Sequence, residues 1–179
     1  MKLLMVVSHD NEDVESLGTA ALLSRAGFEV FKGTFESTLT IHTAYGTTYH
    51  ADGFIEGSID AYEGLIIPGG KYVAATVDDD TKIKALATSF KAQDKYLMAL
   101  CAGPRFLMQA GLIEGQFTCY PGAEKDQQGG TYISNQKAVV DGKLITARSA
   151  GSVYDFVFAI IQTLKGDEAL RAFQANIAY

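Results

Sequence analysis

Short apolar runs alternate with helically spaced stripes along most of this chain. Runs at Leu3–Val7, Glu29–Phe31, Leu65–Ile67, Tyr96–Leu100 and Leu144–Thr146 are strand-length, and several end on Ser, Gly or Pro. Unbroken apolar runs of that length suit strands covered on both faces. Between them, Val14, Leu17, Ala21 and Leu22 fall at the spacing of one helical face, as do Ile83, Leu86, Ala87 and Phe90. A third stripe, Val153, Phe156, Val157, Ile160, Ile161 and Leu164, is the clearest. Strand and helix in alternation predict parallel pairing and an open-sheeted α/β sandwich. "KAVVDGKLIT" departs from this pattern, because Asp141-Gly142 between two apolar runs signals a hairpin.

Composition narrows the picture without changing it. No linker, repeat or low-complexity tract interrupts the 179 residues, so one domain spanning 1–179 is expected. The net charge of −6 leaves no basic footprint, which argues against nucleic acid and anionic membrane as partners. The start, "MKLLMVVSHD", is too short an apolar run for a signal peptide and runs straight into acids. Cys101 and Cys119 do not make a disulfide framework, so a cytoplasmic protein with reduced thiols is expected. No tight spacing of His, Cys or acidic residues suggests a metal site, and no cofactor is called for.

In an open parallel sheet, ligands bind beyond the carboxyl ends of the strands. Ser8-His9, Pro68-Gly69-Gly70, Cys101 and Cys119-Tyr120 each follow an apolar run, which places them on that edge. "ALCAG" carries small residues two before and two after the cysteine, Ala99 and Gly103. A nucleophile elbow needs that spacing, since the strand-to-helix turn leaves no room for larger side chains. Pro104 suits the first turn of the following helix. Cys101 would then meet the positive end of that helix, which predicts a thiol titrating below the ordinary range. The N–H groups of Gly70, after "IIPG", and of Ala102 are candidates for an oxyanion hole. Arg148, at a strand end, is a candidate for binding an anionic group or for bracing a loop. Cys119 reads as buried packing.

"CAGP" after an apolar strand, "PGG" about thirty residues earlier, "TARSAGS" and a Glu at the first helix resemble the ThiJ/PfpI family, also called the DJ-1 family. The resemblance runs over nearly the whole chain. It implies a flavodoxin-like three-layer sandwich, usually a homodimer, with an oxidation-prone cysteine on the elbow. The family's Glu falls on Glu15 in "DNEDVES". A carboxyl desolvated beside a thiolate holds its proton, so Glu15 is expected to donate a hydrogen bond to the sulfur and to relay a proton. Where many members place a histidine after the cysteine helix, this chain has Tyr120, whose hydroxyl is a poor base at neutral pH. His9 is the one substitute base on the same edge, and the Thr47–His50 stretch with the first helix is the expected dimer interface.

Three functions follow from these residues and the resemblance. The first is a cofactor-independent glyoxalase or deglycase-type enzyme acting on small dicarbonyls such as methylglyoxal through Cys101 and Glu15. The second is a redox-responsive stress or chaperone-like protein whose cysteine oxidises to sulfinate. The third, a peptidase or amidotransferase-like hydrolase, lacks the base that protonates a leaving amine.

Overall fold

A computed structural model describes residues 1–179 and shows a mostly parallel sheet between two helical layers. Along the chain the strands are β1 (Lys2–Val6), β2 (Glu29–Thr34), β3 (Thr40–His42), β4 (Thr48–His50), β5 (Gly53–Phe54) and β6 (Gly64–Ile67). They continue with β7 (Tyr96–Leu100), β8 (Gln116–Phe117), β9 (Thr131–Tyr132), β10 (Ala138–Asp141) and β11 (Leu144–Ala147). A π-helical turn, Val14–Gly18, leads into α1 (Thr19–Arg25). The other helices are α2 (Lys71–Thr76), α3 (Lys82–Ala92), α4 (Pro104–Gln109), α5 (Val153–Lys165) and α6 (Asp167–Asn176).

The seven-stranded sheet has the order β10-β11-β7-β6-β1-β2-β5, with only β10 antiparallel to its neighbour. Side chains alternate between two cores, as a strand's period of two requires. Leu4, Val6, Leu65, Ile67, Leu97 and Ala99 face the layer of α2, α3 and α4. Leu3, Met5, Ile66, Met98, Leu100 and Ile145 face the layer of α1 and α5, with Phe173 of α6 in the same core. Doubly covered strands explain the unbroken apolar runs. β1 sits between β2 and β6, and the chain order reverses there, which opens a crevice beyond the carboxyl ends of β1 and β6.

The first helix corrects the expected stripe. Val14 is 52% exposed and Ala21 is also exposed, while Glu15, Ser16, Thr19, Ala20 and Leu23 are buried. A π turn is wider than an α turn, so it shifts the phase in which residues meet the sheet. The face toward the sheet is partly polar because it carries Glu15 to the crevice. The hairpin also differs by one residue: Asp141 pairs with Leu144 as the last residue of β10, so the turn is Gly142-Lys143, with Gly142 at φ 58°.

Candidate active site

Three strand ends meet at the crevice. Cys101 follows β7 directly and adopts φ 60°, a left-handed conformation costly for any residue with a Cβ. Its neighbours hold it there: its N–H donates to Ala147 O at 2.9 Å, and its carbonyl accepts the Tyr120 N–H at 2.8 Å. The turn closes with Gly103 N–H donating to Leu100 O at 2.9 Å, and α4 starts at Pro104. A side chain at Gly103 would meet Ile67 O at 2.3 Å, which is why the elbow takes only glycine there.

The Pro68–Gly70 turn after β6 lies against this elbow. A Cβ on Gly69 would sit 2.5 Å from Glu15 Oε2 and 2.7 Å from Cys101 Cβ. Gly69 N–H donates to Glu15 Oε2 at 2.9 Å, and the Cys101 thiol and the Ala150 backbone also hydrogen-bond this carboxyl. Glu15 is buried, which pushes its pKa up to about 7; the charge of Glu12 adds to this, and those hydrogen bonds oppose it. Gly70 sits at φ 134°, and its N–H and that of Ala102 donate to no protein oxygen. The Ala102 N–H interacts with the sulfur.

Cys101 itself overturns the expectation of a low-titrating thiol. Burial pushes it above the ordinary range, and the charge of Glu15 and the hydrogen bond to it push the same way, against the Ala102 N–H. The six-residue α4 has too little dipole to outweigh desolvation beside a carboxylate. The resting pair is therefore a thiol donating to a carboxylate that titrates near neutrality.

A cavity of about 330 Å³ opens on this pair, with Glu12, Tyr45, Gly70, Lys71, Ala102, Tyr120 and Ser149 among its lining. Tyr120 is half exposed at its wall. His9 is elsewhere: its ring stacks on His42 at 5.5 Å, its Nδ1 accepts the His42 N–H, and it lines a different cavity. It is no substitute base. Arg148 donates to Ser134 O and so braces that loop, and it does not line the Cys101 cavity. Cys119 is fully buried, and its thiol is pushed up to about 12, chiefly by burial. No group of three His, Cys, Asp or Glu residues is placed to hold a metal.

Two contributors lie in the first loop, where the acids read from sequence only as favouring the helix start. Buried Asn11 clamps the loops, its Oδ1 accepting the Ser8 N–H at 2.6 Å and its Nδ2 donating to Gly69 O at 3.2 Å. Glu12 Oε2 accepts the Glu15 N–H at 2.6 Å and so fixes the start of the π turn. The Ser8 and Glu15 contacts are local, three residues apart, whereas the Asn11 bond to Gly69 O depends on β1 and β6 lying side by side.

Known proteins resemble this chain in sequence and fold. A deglycase of Pyrococcus abyssi is 29% identical over 168 residues, covering 92% of this chain and all of that protein. A glutathione-independent glyoxalase of Caenorhabditis elegans is 27% identical over 93% of this chain and 89% of its own length. Among solved structures, Drosophila melanogaster DJ-1beta superposes with a TM-score of 0.91 at 22% identity, over 99% of this chain and 97% of that one. Oxidized Toxoplasma gondii DJ-1 superposes at 0.87 with 27% identity, over 99% and 98%. The sequence profile of the DJ-1/PfpI family matches residues 1–163, a span that includes β1, the elbow and β11, and the chain belongs to that family.

Proposed function

We propose that this protein is a cofactor-independent glyoxalase or deglycase-type enzyme acting on small dicarbonyls. The observation that carries the reading is the Cys101 thiol packed beside a buried carboxyl at one cavity, where the Gly70 N–H donates to no protein oxygen. Relatives named deglycase and glyoxalase support it.

On this reading Glu15 acts as a base. It takes the thiol proton as sulfur attacks the aldehyde carbon of methylglyoxal, so no standing thiolate is needed. Gly70 and Ala102 N–H groups hold the developing alkoxide, which then receives that proton from Glu15 to give the hemithioacetal. Glu15 next removes the proton on the former aldehyde carbon and returns it to the neighbouring carbon, while the hemithioacetal hydroxyl proton passes to the ketone oxygen, which becomes the new hydroxyl. The product is a thioester, and water cleaves it to lactate and the free thiol. A peroxide sensor would use the same proton transfer to Glu15, so turnover of a dicarbonyl is what separates the two readings. Amide hydrolysis would need a further proton donor, and His9 lies outside the cavity.

Wild type should form lactate from methylglyoxal without added thiol, and Cys101→Ser should form none. Tyr120→Phe loses one hydroxyl hydrogen bond and should cost about tenfold at most. A loss beyond about 10²-fold would instead make Tyr120 the proton donor. Absence of lactate from wild type, with Cys101 oxidising readily in peroxide, would transfer the reading to a redox sensor. A homodimer packed through exposed Val14 and Ala21 with the β3–β4 hairpin belongs to the same proposal. Sedimentation as a monomer at micromolar concentration would remove that part.

A further inference from the structure

Lys71 follows Gly70 directly and lines the Cys101 cavity, yet no carboxylate pairs with its charge. No salt bridge includes it, its one hydrogen bond is a long 3.4 Å contact to Ala44 O, and its ammonium lies 5.5 Å over the Tyr45 ring. An ammonium has three donors, so two remain unused beside Ala44 and Tyr45, which line the same cavity. The carboxylates beside it are already engaged: Glu12 accepts the Glu15 N–H, and Glu15 accepts from Gly69 N–H and the thiol. A carbonyl oxygen held by Gly70 N–H would thus have the Lys71 backbone next to it and a free cation within a side chain's reach.

We infer that Lys71 selects substrates with an anionic tail, so that the preferred class is an α-ketoaldehyde bearing a carboxylate rather than methylglyoxal itself. This rests on the enzymatic reading above and names its substrate class. The exposed tyrosines of the same lining, Tyr45 and Tyr120, give the aliphatic part of such a tail apolar surface while leaving its carboxylate in water near the ammonium. An exposed cation is partly screened, so its effect is modest and salt-sensitive.

The matched substrates are methylglyoxal and 4,5-dioxopentanoate, which is methylglyoxal with a carboxymethyl group added. Lys71→Met should lower kcat/KM for the anion about three- to tenfold more than for methylglyoxal, mainly through KM, and Lys71→Arg should restore the preference. A second measurement needs no turnover: the ratio of Cys101 alkylation by iodoacetate to that by iodoacetamide, read by peptide mass. In both reagents the carbon–sulfur bond forms, iodide leaves, and the thiol proton passes through Glu15 to water. Lys71→Met should lower this ratio about three- to tenfold at low salt and hardly at all in roughly 1 M salt. If wild type turns over neither dicarbonyl, the enzymatic reading fails, and the alkylation ratio alone decides the Lys71 site. An alkylation ratio and a substrate preference that both ignore Lys71→Met would overturn the inference.

Discussion

Glu15→Gln is expected to lose about 10²- to 10⁴-fold of turnover on methylglyoxal while making the protein more stable at alkaline pH. The amide keeps an oxygen for the Gly69 N–H but cannot take the thiol proton or carry it between carbons. The stability gain has the opposite origin. Burial raises the folded-state pKa of Glu15 from 4.5 to about 7, so the folded protein binds the extra proton between those values. Stability therefore falls as pH rises through that window, and the loss is complete above about 7, on the order of 3 kcal/mol. Glutamine carries no such loss. The melting temperature of Glu15→Gln should exceed that of wild type at pH 8, and the difference should close below about pH 5. The same titration predicts that kcat/KM of wild type rises toward pH 7, because a protonated Glu15 cannot receive the thiol proton. Turnover within tenfold of wild type in this variant would remove Glu15 from the proton path.

How much of the fold and the site is legible in the sequence depends on what each feature rests on. The strand ends, the parallel sheet and the elbow rest on local pattern: apolar runs of strand length, then small residues around Cys101. The phase of the first helix was not readable, because a π turn breaks the 3.6-residue period and the buried face contains Glu15, Ser16 and Thr19. The direction of the Cys101 titration was not readable either. A helix start can be counted from sequence, but desolvation and the approach of Glu15 come from β1, β6 and β7 lying side by side. Arg148 illustrates the same limit, since the carbonyl it braces belongs to a loop fourteen residues away. Lys71 follows a recognised motif, and what its sequence context does not show is that no carboxylate pairs with its ammonium.

Gly103→Ala should be a severely damaging single methyl group in the elbow. Its backbone, at φ −51° and ψ −37°, suits alanine, so any penalty is steric rather than conformational. The added Cβ would lie 2.3 Å from Ile67 O and 3.0 Å from both Leu100 O and Pro68 O. All three are backbone carbonyls at the ends of β6 and β7, so relief requires strand ends to part rather than a side chain to turn. A cost of about 3 kcal/mol is expected, which lowers the melting temperature by roughly 6–12 °C for a chain of this size. Gly111→Ala provides the contrast: nothing lies within 4 Å, and only its φ of 68° opposes alanine, for about 1 kcal/mol. The two variants also separate function from stability. Parting β6 from β7 moves Gly69, Gly70 and Ala102 away from the sulfur, so Gly103→Ala should lose turnover even at temperatures where it is fully folded. Gly111 lies beyond the end of α4 and should lose none in its folded state. Equal melting losses, or full turnover in folded Gly103→Ala, would mean that the tight approach of these two strand ends does not set the elbow.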